Sequence, residues 1–159
     1  MSEEDVKKIA LGAIKFNDFI ADRRTNILFD WATIFALTGM SGPYVQYAAV
    51  RVNKILKDNG NGETFVETYD YDAEKSVLAK LLEYPDVVRR AAQELEPHKI
   101  ANYIYELARE MNRYYEATPI ATEAVDPTVR SARLGVLTKV AKVFTSALDL
   151  LGIEVPDKM

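Results

Sequence analysis

Apolar residues recur at the helical period through most of this chain, and prolines stand where the periodic stretches begin. Proline is tolerated in the first turn of a helix, where its missing N–H has no intrahelical partner to lose, and it disrupts any later turn. Pro43, Pro85, Pro97 and Pro127 therefore divide the chain into predicted helices over 44–57, 72–83, 85–95, 97–118 and 127–151. An earlier helix is expected from Ser2 to about Arg23, because Ser2 and Asp5 have capping-box spacing and Val6, Ile9, Ala13, Phe16 and Ile20 follow at helical intervals. In the helix from 44, Val45, Ala48, Ala49, Val52 and Leu56 fall within about a third of the wheel at roughly 100° per residue. The last helix has two adjacent stripes, Val129, Ala132, Val136, Val140, Val143, Ala147 and Leu137, Ala141, Phe144, Leu148, Leu151, so several neighbours must pack on it. Gly152 and Pro156 end it. The predicted fold class is all-α, a helix bundle.

The intervening stretches are short. Residues 26–31, NILFDW, are left unassigned, 38–43, TGMSGP, form a loop, and 58–62, DNGNG, stop a helix. The longest irregular stretch is 63–72, in which FVETY at 65–69 is expected to be a short extended piece. A chain of 159 residues with 48% hydrophobic content buries roughly 70% of the surface its unfolded form exposes, so one core needs neither disulfide nor metal. It contains no cysteine, which fits a reducing compartment, and no apolar run approaches the roughly 20 residues of a membrane span. The start, MSEEDVKK, is acidic where an export signal is basic and then apolar. The expected location is cytoplasmic, with no membrane partner.

Several chemistries are absent. One histidine, His98, and no cysteine leave no metal cluster of the usual kinds, so the expected metal site is none. His98, in the first turn of its helix, reads as a satisfied structural side chain. The seven glycines make neither a dinucleotide fingerprint nor a phosphate loop. Asp70 with Asp72, or Glu94 with Glu96, are charges of helix starts and solvated faces, and no catalytic residue is assigned. A net charge of −4 argues against holding nucleic acid by bulk attraction, so any RNA contact must be local.

Tyrosine is the residue type that stands out, with nine copies. Tyr44, Tyr47, Arg51 and Lys54 are spaced three, four and three apart, a single helical face beside the apolar stripe. In the helix from Pro97, Ile100, Ile104, Leu107 and Met111 form the core stripe, with Ala101, Tyr105, Ala108, Asn112 and Tyr115 along its border. Two readings fit these faces. Rings and guanidinium can stack on unpaired bases, or half-buried tyrosines can pack on a neighbouring helix while Arg51 reaches water. Arg109, Arg113 and Arg130 read as solvated.

Three ordered segments carry a family resemblance. TGMSGPYVQYAAVRV at 38–52, with its PY-x-QYA-x-x-R element, resembles the stretch with which arginyl-tRNA synthetases open their anticodon-binding domain. EPHKIANYIYELAREMNRYYEATPI at 96–120 and ALDLLGIEVPDKM at 147–159 are similar to that family's later helix and carboxy-terminus. LGAIKFND at 11–18 and FDW at 29–31 resemble the segments that join the catalytic half to this domain. The resemblance implies a class I synthetase anticodon-binding bundle over 43–159, preceded by a junction over 1–42 from the end of the catalytic half, itself lying before residue 1.

It further implies that the partners are the anticodon loop of arginine tRNA and the catalytic half of the same polypeptide. This part would use no cofactor and would be inactive alone, whereas the parent enzyme, an arginine-tRNA ligase, would use ATP and magnesium. In the family the middle anticodon base, a cytosine, enters a pocket whose motif positions correspond here to Tyr44, Gln46, Tyr47, Arg51, Asn112, Tyr115 and Met159. Arg51 would meet a base edge or phosphate, and Tyr115 and Met159 would enclose the ring. Ser41 and Gly42 stand where Thr-Ala is more usual, and Met111 and Tyr114 where phenylalanine is common, departures expected to touch packing more than the pocket. The alternatives are a helical protein-interaction module without an RNA role, favoured by the acidic charge, and an independent enzyme, for which no convergent set of ionisable groups is visible.

Overall fold

The helix starts are set by caps that the sequence spells out. The computed structural model describes residues 1–62, 66–120, 122 and 124–159, and these contain helices and no strand. The helices are α1 (Glu3–Ile20), α2 (Trp31–Ile34), α3 (Gly42–Asn59), α4 (Lys75–Glu94), α5 (His98–Ala117) and α6 (Pro127–Leu150), with a 3₁₀ turn at Asp72–Glu74. Ser2 and Asp5 form the capping box of α1, Ser41 caps α3, and Asp126 caps α6 by accepting from the Thr128 and Val129 amides. At the other end of α3, Gly60 adopts φ 78°, where a side chain is disfavoured.

The expected stripes are the core. Val45, Ala48, Ala49 and Val52 of α3 meet Ile100, Ile104, Leu107 and Met111 of α5, and Val136, Leu137, Val140, Phe144, Ala147 and Leu148 of α6 join them. Phe16 of α1 is fully buried in the same cluster. Phe29 and Trp31 are exposed, the ring of Trp31 stacking on Phe35 at 5.7 Å. α1 and α3 cross almost backbone to backbone, since a Cβ at Gly42 would lie 2.6 Å from the Gly12 carbonyl oxygen. The departure from alanine at Gly42 makes room for that crossing.

Five expectations need correction. The two helices predicted over 72–83 and 85–95 are one, α4, which continues through Pro85. A proline inside a helix has no N–H for the carbonyl four residues earlier, here that of Leu81, and α5 packs on this turn, Tyr103 Oη donating to the neighbouring Lys80 carbonyl at 2.8 Å while its ring stacks on Tyr84. Of FVETY, Phe65 lies outside the described residues, and Val66–Tyr69 make a turn closed by the Tyr69 amide on the Val66 carbonyl at 3.2 Å. α1 ends at Ile20, short of Arg23, where Asp22 instead accepts from the Arg24 amide and guanidinium. Arg130, read as solvated, is half-buried and donates to Asn59 Oδ1 at 2.8 Å. His98 leaves Nδ1 without a hydrogen-bond partner among the described residues. No helix among those residues is long and apolar enough to cross a membrane.

Candidate nucleic-acid interface

Tyr47 and Arg51 project from α3 one helical turn apart, and α5 packs alongside to bring Asn112 and Tyr115 to the same place. The Arg51 guanidinium is held there by two hydrogen bonds, which leave further N–H donors to spare. Its Nη1 donates to Asn112 Oδ1 at 3.0 Å and its Nη2 to Tyr47 Oη at 2.9 Å. Its central carbon lies 4.7 Å from the Tyr47 ring centroid and 4.8 Å from that of Tyr115, both within cation–π range. The two rings remain 37% and 41% exposed, so each keeps a surface on which a flat ligand can stack.

Met159 reaches this cluster from the carboxy-terminal tail. Together with Tyr47, Arg51, Lys54 and Tyr115 it lines an open depression of about 370 Å³. Five of the seven residues named from the sequence thus meet at one place: Tyr47, Arg51, Asn112, Tyr115 and Met159. The other two do not. Tyr44 is half-buried, its ring 5.6 Å from that of Tyr105 in the seam between α3 and α5. Gln46 is completely buried and faces away, its Nε2 donating to the Lys8 carbonyl at 3.1 Å and the Glu154 carbonyl at 2.8 Å. Lys54, Asp58 and Asn59, which extend the face of Tyr47 and Arg51 by further turns, also line the depression. Beyond Lys54, the continued spacing of three and four residues is the signal that places them on this face.

The position of Met159 depends on how the tail is held. Gln46 grips Glu154, Ile153 and Pro156 are buried, and Lys15 donates to the Gly152 carbonyl. Further along, the Asp157 amide donates to Asp5 Oδ1 at 2.8 Å. Asp5 is the capping-box acid of α1, and the Ser2 hydroxyl, then the Ser2 amide and the Asp157 amide, hold its carboxyl down at about 2, against an ordinary 3.8. A lowered pKa means that the ionised form is favoured by folding. The contribution is therefore complete above about pH 4 and is lost as pH falls through about 2. The carboxyl carbon of Asp5, followed by nuclear magnetic resonance, should titrate with a midpoint near 2, and a midpoint at its ordinary 3.8 would mean that tail and cap do not share this group.

A model of the DALR anticodon binding domain family matches residues 45–159. The arginine-tRNA ligase of Saccharophagus degradans is 38% identical over 98% of this chain, which spans 28% of that relative. That of Vibrio parahaemolyticus is 35% identical over 99% of the chain. The structure superposes on Thermus thermophilus arginyl-tRNA synthetase with a TM-score of 0.92 at 31% identity, over 99% of this chain and 28% of that one. On arginyl-tRNA synthetase from Plasmodium falciparum the TM-score is 0.79 at 21% identity over 96% of this chain and 27% of that one, a likeness of fold. The chain thus covers a little over a quarter of the length of these proteins. With a match that runs from Val45, within α3, to the final residue and includes every side chain gathered around Arg51, the chain belongs to the DALR anticodon binding domain family.

Proposed function

We propose that this chain binds the anticodon loop of arginine tRNA, with the middle anticodon base received by Arg51, Tyr115 and Met159. The observation that carries the reading is the convergence of Tyr47 and Arg51, Asn112 and Tyr115, and Met159 on one exposed depression, from three stretches distant in sequence. Exposed rings stack on a base, and a guanidinium with an amide beside it offers hydrogen bonds to a base edge. In this reading Gln46 acts by holding the tail and Tyr44 by packing, and neither touches RNA.

The relatives are named arginine-tRNA ligases. The proposal extends to a parent enzyme that joins arginine to tRNA with ATP and magnesium in a part of the polypeptide outside these residues. Positions 1–42 then serve as the junction to that catalytic half, positions 43–159 as the RNA-binding domain, and the enzyme works in the cytoplasm. The contribution of this chain is to hold one end of the tRNA so that the other is positioned for reaction.

The test is a titration of the chain, at low and physiological salt, with arginine tRNA and with the same tRNA carrying a changed middle anticodon base. Tighter binding of the unchanged tRNA supports the reading. Equal affinity for the two, or no binding of either at low salt, overturns it.

A further inference from the structure

A second depression, about 520 Å³ in volume, lies between the carboxy-terminal half of α3 and the tail. It shares Val50, Lys54, Asp58 and Met159 with the depression beside Arg51, so the two adjoin along these side chains as one groove. The chemistry changes along it. The Arg51 end is aromatic, and the far end carries Lys54, Lys57 and Lys158 against Asp58 and Asp157. Lys54 is paired with Asp58 at 3.1 Å. Among the described residues Lys57 and Lys158 have no carboxylate partner, and both are exposed. The backbone that carries Lys158 is anchored just before it by the Asp157 amide on Asp5 and by Gln46 on the Glu154 carbonyl.

Resting on the anticodon reading, we infer that this lysine end of the groove takes the sugar-phosphate of the nucleotide next to the one whose base lies at Tyr115, with Lys57 and Lys158 as its phosphate contacts. A chain of net charge −4 has no general attraction for RNA to offer, so attraction must come from cations that no carboxylate neutralises beside the stacking surface. An aromatic platform continuous with a cationic groove is the arrangement by which single-stranded nucleic acid is held, bases on rings and backbone on lysines. The division of labour follows: the Arg51 end discriminates between bases, and the lysine end is indifferent to them.

The experiment measures affinity against salt for Lys57→Ala, Lys158→Ala and the pair, each with arginine tRNA and with the tRNA of changed middle base. Both lysines are exposed, so the variants should keep the circular dichroism of the unsubstituted chain. Each substitution is expected to weaken both RNAs by the same factor and to lower the slope of log affinity against log salt by about 0.7 to 1. Arg89→Ala, an exposed arginine of α4 paired with Asp86, should change neither quantity. If the lysine variants keep the original affinity and slope while Tyr115→Ala weakens binding, the groove assignment is overturned and base reading stands. If the slope falls as expected but the unsubstituted chain binds the two RNAs equally, the groove stands and base reading is the part that fails.

Discussion

Glu74→Leu is expected to lower the unfolding free energy by about 3 kcal/mol, read from the urea midpoint. Glu74 is completely buried just before α4 and serves three partners at once. It accepts from Tyr114 Oη at 2.7 Å and from Tyr69 Oη at 3.0 Å, and Arg133 Nε lies 3.3 Å away as an ion pair. Arg133 also donates to Tyr69 Oη and to the Pro119 carbonyl, so three stretches, 69–74, 114–119 and α6, meet around one carboxylate. Burial, and then the hydrogen bond to Glu74, push the Tyr114 hydroxyl up, and it remains a donor throughout the working pH range. Leucine would leave that donor and the guanidinium without their charged acceptor, and breaking a buried pair costs about 3 to 5 kcal/mol. The lower figure applies because the Arg133 side chain retains 14% exposure and can still reach water. Glu74→Gln keeps an acceptor for Tyr114 and should cost less. A change below about 1 kcal/mol for Glu74→Leu would mean the network stabilises little. The departure at Tyr114 now has a structural meaning, because phenylalanine at that position would have no hydroxyl for this carboxylate.

Tyr115→Ala and Arg51→Ala are expected to weaken binding of arginine tRNA by about five- to 150-fold, the equivalent of roughly 1 to 3 kcal/mol for loss of one stacking partner. Folding should be affected far less, since the Tyr115 ring is 41% exposed and the polar groups around Arg51 are within reach of water. The two variants fail differently. Without Tyr115 the Arg51 guanidinium keeps its bonds to Asn112 and Tyr47, whereas without Arg51 both of those groups lose a partner and the two rings lose the cation that faces both of them. Arg51→Ala should therefore be the more damaging. Arg89→Ala is the suitable control, because Arg130 is engaged with Asn59 and is not a bystander. Equal losses on cognate and changed-anticodon tRNA would assign both residues to general attraction.

What the sequence made legible was local. The capping box of Ser2 and Asp5, the stripe of Val45, Ala48, Ala49 and Val52, and the face shared by Tyr47 and Arg51 all depend on residues within two turns of each other, and spacing alone carries them. What it hid was long-range. Pro85 looked like a helix start because the α5 side chain that packs on this turn, Tyr103 against Lys80 and Tyr84, comes about five turns of chain later. Gln46 sits in the middle of the PY-x-QYA-x-x-R element, yet its partners are Lys8 and Glu154, 38 and 108 positions away, and no periodicity pairs them. Glu74 gave no signal at all, since a lone acid before a helix reads as a solvated charge. At the site, α3 supplied a face that was visible in isolation, while its meeting with Tyr115 and Met159 was reached through family resemblance and not through spacing.

Whether Tyr115 reads the middle anticodon base is measured most directly by a cycle in which the side chain and the base are changed separately and together. Four dissociation constants are needed at one salt concentration: unsubstituted chain and Tyr115→Ala, each with arginine tRNA and with the tRNA of changed middle base. A contact between the two predicts that Tyr115→Ala weakens the first tRNA by about five- to 150-fold and leaves the second nearly unchanged, a coupling of roughly 1 to 3 kcal/mol. Coupling near zero, with both tRNAs weakened alike, would contradict the claim.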